Sequence, residues 1–159
     1  MFRIGFGYDS HVFEKGKKLV LAGVEFPGCD GLKAHSDGDV VVHALIDAMF
    51  GAAALGDIGS HFPDTDERWK GADSMKLLAA AAGELSAAGW RFGNADITIV
   101  CEAPRIRPRV EEMRQSLAAA LGCRTLDVSI KGKTNEKMDD VGAGRGIAVY
   151  ASVLVMRDV

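Results

Sequence analysis

The stretch VVVHALIDAMFGAAAL, residues 40–55, decides the fold of this chain. Its apolar residues recur at helical spacing from Asp39 onward, which predicts a helix that ends before the GDIG sequence of residues 56–59. Asp39, His43 and Asp47 follow in steps of four and therefore share one stripe of that helix. Burying such groups without partners would be costly, so the stripe is a candidate functional surface.

Strands and two more helices are predicted on either side of this helix. The predicted strands cover residues 2–13, 19–26, 95–102, 128–133 and 146–156. The EKGKK run of residues 14–18 is predicted to turn the first two strands into a hairpin. One further helix is predicted from the Asp73–Ser74 cap to about residue 88, and another from Pro104 to near Gly122. This order predicts an α+β fold, a mixed β-sheet with helices packed on one face, in a single domain over residues 1–159.

Composition excludes several classes of protein. The 19 basic and 22 acidic residues give a formal net charge of -3, which argues against a nucleic-acid-binding protein. The longest stretch without Asp, Glu, Lys or Arg is 11 residues, 146–156, whereas a membrane-spanning helix needs about 18. The first residues lack the apolar segment of a signal peptide. The three cysteines, Cys29, Cys101 and Cys123, form no CxxC pair, so free thiols in the cytoplasm are expected.

The histidines predict a metal site. Asp9 and His11 are two residues apart on a predicted strand, so their side chains point to one face. Either this pair or a lone His43 would more often be ordinary surface or core structure, but together they offer one carboxylate and two imidazoles. That donor set suits Zn²⁺ and leaves the open position that a catalytic zinc requires. Asp47, one helical turn after His43, is expected to orient a ring nitrogen.

Three further polar segments are candidates for substrate binding, and the first two keep two interpretations each. The FPDTD sequence of residues 62–66 could hold sugar hydroxyls or a hydrated cation, or simply form a turn. The arginines Arg105, Arg107 and Arg109 could bind phosphate at a helix start, or form a solvated basic face. The KGKTNEK sequence of residues 131–137 places cations, a hydroxyl and a carboxylate at a strand end, without the spacing of a P-loop.

Five motifs together carry a family resemblance. They are GYDSHVF (7–13), AHSDGDVVVHALIDAMFGAAALGDIGSHFPDTD (34–66), WKGADS (69–74), CEAPRIRP (101–108) and KTNEK (133–137). In this order they resemble the 2-C-methyl-D-erythritol 2,4-cyclodiphosphate synthase family, from the first predicted strand to the last. The resemblance implies a homotrimer with active sites at subunit interfaces. It also implies a reaction in the non-mevalonate route to isoprenoid precursors, in which a diphosphocytidyl substrate is cyclised and CMP is released.

The resemblance also implies the roles of individual residues. Asp9, His11 and His43 correspond to the zinc ligands, and Glu136 to the carboxylate on a second cation, Mg²⁺ or Mn²⁺. His35 and Thr134 correspond to catalytic positions that stabilise the transferring phosphoryl group. The implied substrate-binding residues are Asp9, Ser10, His11, His35, Ser36, Asp57, Ile58, Gly59, Phe62, Pro63, Asp64, Thr65, Asp66, Cys101, Glu102, Ala103, Pro104, Arg105, Ile106, Arg107, Lys133, Thr134, Asn135 and Glu136. Within this set, residues 57–59 correspond to the ribose-contacting loop, 62–66 to the erythritol pocket and 101–107 to the cytidine pocket.

The cyclisation implied by the resemblance agrees with a site that has many metal-ligating side chains and no evident protein nucleophile. The substrate's own 2-phosphate is the nucleophile, so the protein needs only to fold the substrate and to stabilise charge around the β-phosphorus. Two alternatives remain at this point. A zinc phosphohydrolase would use the same ligands to make hydroxide, and a non-enzymatic trimeric binding module would use the metal only structurally.

One segment departs from the family pattern. Many bacterial relatives carry a stretch similar to GFTGRGEG, whereas residues 139–146 read DDVGAGRG. Asp140 replaces the aromatic residue, Ala143 the arginine and Arg145 the acid. The family arginine is associated with an anion-binding pocket on the trimer axis. We therefore expect Arg145 either to serve structure or a displaced anion site, or to be a solvated charge on a loop, rather than to take part in catalysis.

Overall fold

A five-stranded sheet in the order β2-β1-β5-β3-β4 forms the framework of the computed structural model, which describes residues 1–63, 65–69 and 71–157. The strands are β1 (Phe2–Leu21), β2 (Val24–Leu32), β3 (Arg91–Val100), β4 (Val128–Lys133) and β5 (Gly146–Met156). The helices are α1 (Val40–Ala53), α2 (Ile58–His61), α3 (Ser74–Ala87), α4 (Val110–Leu121) and α5 (Asp139–Gly142). Short 3₁₀ turns occur at Glu67–Trp69, Arg107–Arg109 and Thr125–Asp127.

The sheet is mixed, as predicted. Strand β1 pairs antiparallel with β2 and with β5, and β5 also pairs antiparallel with β3. Strands β3 and β4 are parallel, with helix α4 in the connection between them. The mixed sheet and its helices confirm the predicted α+β class. Within the described residues, no helix is long and apolar enough to cross a membrane.

Helix α1 packs directly on β1 because two residues of that strand are glycines, which have no side chain to keep the helix away. A Cβ built on Gly5 would lie 1.9 Å from the carbonyl oxygen of Ala48, and one on Gly7 would lie 2.0 Å from that of Ala44. Backbone can therefore approach backbone at these two positions, which no larger residue would allow. The helix is buried along most of its length, and its close approach brings His43 towards the strand that carries Asp9 and His11.

The predicted hairpin turn at residues 14–18 is wrong. Strand β1 continues through this run as an irregular pairing with β2, and the chain reverses instead at Ala22 and Gly23. Both turn residues have positive φ, 53° and 73°, as a type I′ turn requires. The Asp39 carboxylate accepts the backbone N–H of Ala22 at 2.9 Å and that of Gly23 at 2.7 Å. A contact from 17 residues away thus stabilises an alanine in a conformation that its local sequence does not favour.

Other element boundaries differ less from the predictions. Helix α3 is capped by Asp73, whose side chain accepts the N–H of Met75, in agreement with the predicted start. The third predicted helix begins later than Pro104, because a 3₁₀ turn at Arg107–Arg109 precedes α4. Gly122 ends α4 in the left-handed conformation, close to the predicted end.

Candidate metal centre and adjoining cavities

Asp9, His11 and His43 converge at one point between β1 and α1. Their candidate ligand atoms all lie within 4.8 Å of one another. Asp9 Oδ2 is 2.9 Å from His11 Nε2 and 3.1 Å from His43 Nδ1, and the two imidazole nitrogens are 3.3 Å apart. One carboxylate oxygen and two imidazole nitrogens are donors that zinc prefers. The structure therefore brings together the three residues predicted to form a metal site.

The local sequence places each donor. Asp9 pairs with Val149 and His11 with Ile147 along the same β1–β5 ladder, so the two side chains leave one face of the strand. The second carboxylate oxygen of Asp9 accepts the backbone N–H of Ser10 at 2.8 Å, which orients the carboxylate. The ligand set thus combines two residues from a regular strand with one from a buried helix.

Charge favours the ionised form of Asp9. Burial opposes its ionisation, but hydrogen bonds and attraction from His11 and His43 outweigh that effect and lower the pKa of Asp9 to about 2. A hydrogen bond to Asp9 raises the pKa of His11 against the opposing effect of burial. Asp9 is therefore an anion across the physiological range, which is the state that a metal ligand needs.

The far nitrogen of His43 has partners that the sequence analysis missed. His43 Nε2 lies 3.1 Å from Ser36 Oγ and 3.2 Å from Ser74 Oγ. Ser74 donates its hydroxyl hydrogen to Asp37 in a very short contact, and its backbone N–H donates to the same carboxylate at 2.9 Å. The Ser74 oxygen can therefore accept a hydrogen bond from His43, so His43 Nε2 carries the proton. His43 Nδ1 then directs its lone pair towards the point where Asp9, His11 and His43 converge, which we call the metal point. Ser74 belongs to the WKGADS motif, which could have pointed to this contact, but the sequence analysis interprets Ser74 only as part of a helix cap.

Two acidic residues of the helical stripe have other functions than predicted. Asp39 is fully buried and accepts three backbone N–H groups, those of Ala22, Gly23 and Val42. Asp47 was expected to orient His43, and this is wrong. Both ring nitrogens of His43 are already occupied by the contacts described above, and Asp47 Oδ1 instead accepts the backbone N–H of Ile58 at 2.7 Å.

A cavity of about 700 Å³ adjoins His11 and His43. Among the predicted substrate-binding residues it is lined by His35, Ser36, Ile58, Gly59, Phe62 and Pro63. Glu14, Lys17, Lys33 and Trp69, which the sequence analysis did not single out, also line it. Ionisable side chains thus line the same, otherwise largely apolar, cavity as His11 and His43.

The rest of the predicted 57–66 set is held by local contacts. Asp57 caps α2 and accepts the backbone N–H and the hydroxyl of Ser60, at 2.8 and 2.7 Å. Asp66 is paired with Arg68, whose Nη2 lies 2.6 Å from its carboxylate, and Thr65 is exposed. The predicted residue Asp64 lies outside the described residues.

A second cavity, of about 570 Å³, collects the other predicted set. It is lined by Cys101, Glu102, Pro104, Arg105, Ile106, Arg107, Pro108, Gly132, Lys133 and Thr134. The backbone N–H of Asn135 donates to Glu102 at 2.9 Å, and the Thr134 hydroxyl donates to Glu136 at 2.5 Å. Burial raises the pKa of the Cys101 thiol to about 11, so Cys101 stays protonated and is a poor nucleophile. Within the described residues, the linings of the two cavities have no member in common.

The fold and the site define an α+β protein with a candidate metal-binding site between β1 and α1. The model of the YgbB family matches residues 2–156, and this chain belongs to that family. It is 54% identical over 153 residues to the 2-C-methyl-D-erythritol 2,4-cyclodiphosphate synthase of Alcanivorax borkumensis, covering 96% of each chain. The family resemblance inferred from the five sequence motifs is therefore confirmed.

Two solved structures share the fold closely. The bifunctional IspDF from Campylobacter jejuni superposes with a TM-score of 0.95 at 39% identity, over 99% of this chain and 43% of that one. A 2C-methyl-D-erythritol-2,4-cyclodiphosphate synthase in a CDP-bound form superposes with a TM-score of 0.89 at 36% identity, over 97% of this chain and all of that one. This chain thus matches the whole of a synthase of the second kind and less than half of the bifunctional protein.

Proposed function

We propose that this chain converts 4-diphosphocytidyl-2-C-methyl-D-erythritol 2-phosphate into 2-C-methyl-D-erythritol 2,4-cyclodiphosphate and CMP. An oxygen of the 2-phosphate forms a bond to the β-phosphorus, and the bond from that phosphorus to the oxygen shared with CMP breaks. The chain is then a phosphorus–oxygen lyase of the non-mevalonate pathway. The observation that carries this proposal is the Asp9–His11–His43 cluster beside a cavity of about 700 Å³ in a member of this family.

Two metal ions belong to the proposal. Asp9, His11 and His43 would hold one Zn²⁺ per chain, because their donor atoms already converge and Asp9 is ionised. Glu136, which is exposed and accepts a hydrogen bond from Thr134 of the second cavity, would hold Mg²⁺ or Mn²⁺ with the diphosphate. Bound there, these cations would supply Lewis-acid polarisation of the phosphate oxygens.

The chain's own residues would fold the substrate and stabilise its charge. His35 lines the metal-side cavity and Thr134 the other, so each can reach a different side of the transferring phosphoryl group. Residues 57–59 would contact the ribose and 62–66 the erythritol chain, while 101–107 would enclose the cytidine. No protein nucleophile is needed, which agrees with the protonated state of Cys101.

Assembly would bring the two cavities together. In one chain they are separate, whereas the substrate must reach from the metal cluster to the cytidine pocket. The face of β1 opposite α1 exposes Phe2, Ile4 and Phe6 by 69%, 78% and 65%, a row of apolar side chains that a further copy of this chain would cover. We therefore propose a homotrimer in which each site joins His43 of one protomer to Thr134 of its neighbour.

Mixing two inactive variants tests this assembly. If the sites are shared, mixtures of His43→Ala and Thr134→Ala chains regain activity after subunit exchange, because some interfaces receive both intact residues. If both residues of a site come from one chain, activity does not return. Light scattering on the wild-type protein at micromolar concentration gives the mass directly, and a monomer would refute the shared site.

The reaction itself is tested with the diphosphocytidyl substrate and Mg²⁺ in H₂¹⁸O. Cyclisation predicts CMP and a cyclic diphosphate without ¹⁸O, since water takes no part. A zinc phosphohydrolase would place ¹⁸O in a phosphate product, and a binding module would release no CMP. The proposal includes a cytoplasmic location, supported by three free cysteines, and small-molecule rather than nucleic-acid binding, supported by the net charge of -3.

A further inference from the structure

His61, in the short helix α2, is held on both sides of its ring. Its Nε2 lies 2.8 Å from the backbone carbonyl oxygen of Leu55. Its Nδ1 forms a very short ion pair with the carboxylate of Glu84 on α3. The ring also stacks on Phe50 of α1, with the centroids 4.1 Å apart and the planes inclined by 27°. One side chain thus joins α1, α2 and α3.

The two contacts define the protonation state of the ring. A neutral imidazole carries one N–H, and neither a carbonyl oxygen nor a carboxylate can donate a hydrogen. Both contacts can be hydrogen bonds at the same time only when both ring nitrogens are protonated. The charged groups that face this imidazolium are Glu84 from α3 and Asp57 from the start of α2, and both are acidic. From α1 it meets the face of Phe50, which is a favourable surface for a cation.

The segment that carries His61, residues 58–63, forms a wall of the cavity that adjoins His11 and His43, the metal-side cavity. Ile58 and Gly59 precede His61 and line that cavity, and so do Phe62 and Pro63 after it. Asp47 fixes the start of the segment through the N–H of Ile58, and His61 fixes its end. A ring with a single N–H could keep only one of these two hydrogen bonds, and the end of the wall would then be held by one contact fewer.

We propose that the His61 imidazolium is a positioning residue that holds residues 58–63 in the substrate-binding conformation through Glu84 and the Leu55 carbonyl. It does not touch the reacting atoms. The proposal rests on the proposed function in one respect, which is that residues 58–63 contact substrate. It predicts that substrate binding, rather than the chemical step, depends on the proton of His61.

Variants of the intact chain test the kinetic part. His61→Phe keeps an aromatic ring against Phe50 but donates no hydrogen bond, so KM should rise about tenfold while kcat changes less than about twofold. His61→Gln, which can still donate to one acceptor, should recover part of that loss, and Glu84→Gln should raise KM by about threefold. The matched control is Glu111→Gln, which breaks a helical ion pair with Arg114 on α4 and should leave both constants unchanged. A KM for His61→Phe equal to that of the control would overturn the proposal.

Nitrogen NMR tests the protonation state without substrate. With ¹⁵N-labelled histidine, and His61 assigned by comparison with His61→Gln, both ring nitrogens should carry hydrogen at pH 7. A neutral His61 at the pH of lowest KM would refute the inference. If the wild-type chain releases no CMP, the proposed function fails, and the NMR result still decides whether the proton is held.

Discussion

The two cavities of this chain differ in what holds their polar groups. Around the point where Asp9, His11 and His43 converge, the side chains come from a strand inside the sheet and from a buried helix, and the outer partners of His43, Ser36 and Ser74, lie 7 and 31 residues away. Around Thr134, the groups lie at the end of the edge strand β4 and in the exposed loop after it. There the Thr134 hydroxyl contacts Glu136, only two residues away.

The difference indicates which half of the site one chain can build alone. A partly buried, cross-connected cluster is fixed before any ligand arrives, and fixed donors are what metal binding requires. An exposed loop at a sheet edge is suited to contacts that form with substrate or with another copy of the chain. The following predictions test this contrast, beginning with the largest expected effect.

Replacing His43 by alanine should abolish both bound metal and activity, because one of three donors is lost. Metal analysis of the purified variant, beside a CMP-release assay, measures both. Thr134→Ala is the matched change in the other cavity and should lose activity while keeping its metal. Stoichiometric zinc in His43→Ala would contradict the metal assignment and with it the contrast between the two regions.

Replacing Asp39 by alanine should lower the free energy of unfolding by about 4 kcal/mol, because three backbone N–H groups, two of them in buried hydrogen bonds, lose their acceptor. Urea denaturation measures the change. The control is Asp73→Ala, which removes an exposed cap of α3 and should cost about 1 kcal/mol. Equal losses in the two variants would show that the scaffold under the metal cluster is no more rigid than the surface.

Asp39 also predicts a dependence of stability on pH. Burial raises its pKa to about 6 from 3.8, so between those values the folded chain keeps a proton that the unfolded chain has released. The folded state binds more protons there, and the free energy of unfolding therefore falls as pH rises, by about 3 kcal/mol for this group. Urea denaturation at pH 4 and pH 7 measures it, with Asp39→Asn as the control that removes the titration. A wild-type-minus-variant difference that does not change with pH would contradict the prediction.

Replacing Ser74 by alanine should weaken metal binding by about 10–100-fold, because His43 loses an acceptor for its Nε2 hydrogen. Competition with a chelator measures the affinity in the absence of substrate. Ser60→Ala is the control, since its hydroxyl contacts Asp57 and not the cluster. If the affinity of Ser74→Ala equals that of the control, the outer contacts do not support the metal site.

Replacing Arg145 by alanine should reduce kcat/KM by less than about tenfold, which is under about 1.4 kcal/mol. Its guanidinium is exposed and pairs with the exposed Asp140 at 2.8 Å. Steady-state kinetics measure the effect, with light scattering to verify that assembly is unchanged. A hundredfold loss of kcat/KM with assembly intact would show that Arg145 holds substrate phosphate. The exposed loop would then contribute more to substrate binding than we infer.

Much of the metal site could be predicted from local sequence rules. The two-residue spacing of Asp9 and His11 places them on one strand face, and the apolar period of residues 40–55 places His43 on a buried helix. Local sequence rules could not predict which backbone N–H groups Asp39 and Asp47 bind. Asp39 and Asp47 have the same helical spacing from His43, but one caps a distant hairpin and the other holds the start of α2.

The sequence by itself determined the helix of residues 40–55, the mixed class of the fold, and the three candidate ligands, because backbone geometry sets which side chains share a face. The tertiary structure alone decided the turn at Ala22 and Gly23, the Ser74–Asp37 contacts behind His43, and the two partners of His61. Each of these depends on hydrogen bonds between elements that meet only when the core packs. A buried polar group must form a hydrogen bond, and the folded chain determines which donors and acceptors lie within reach of it.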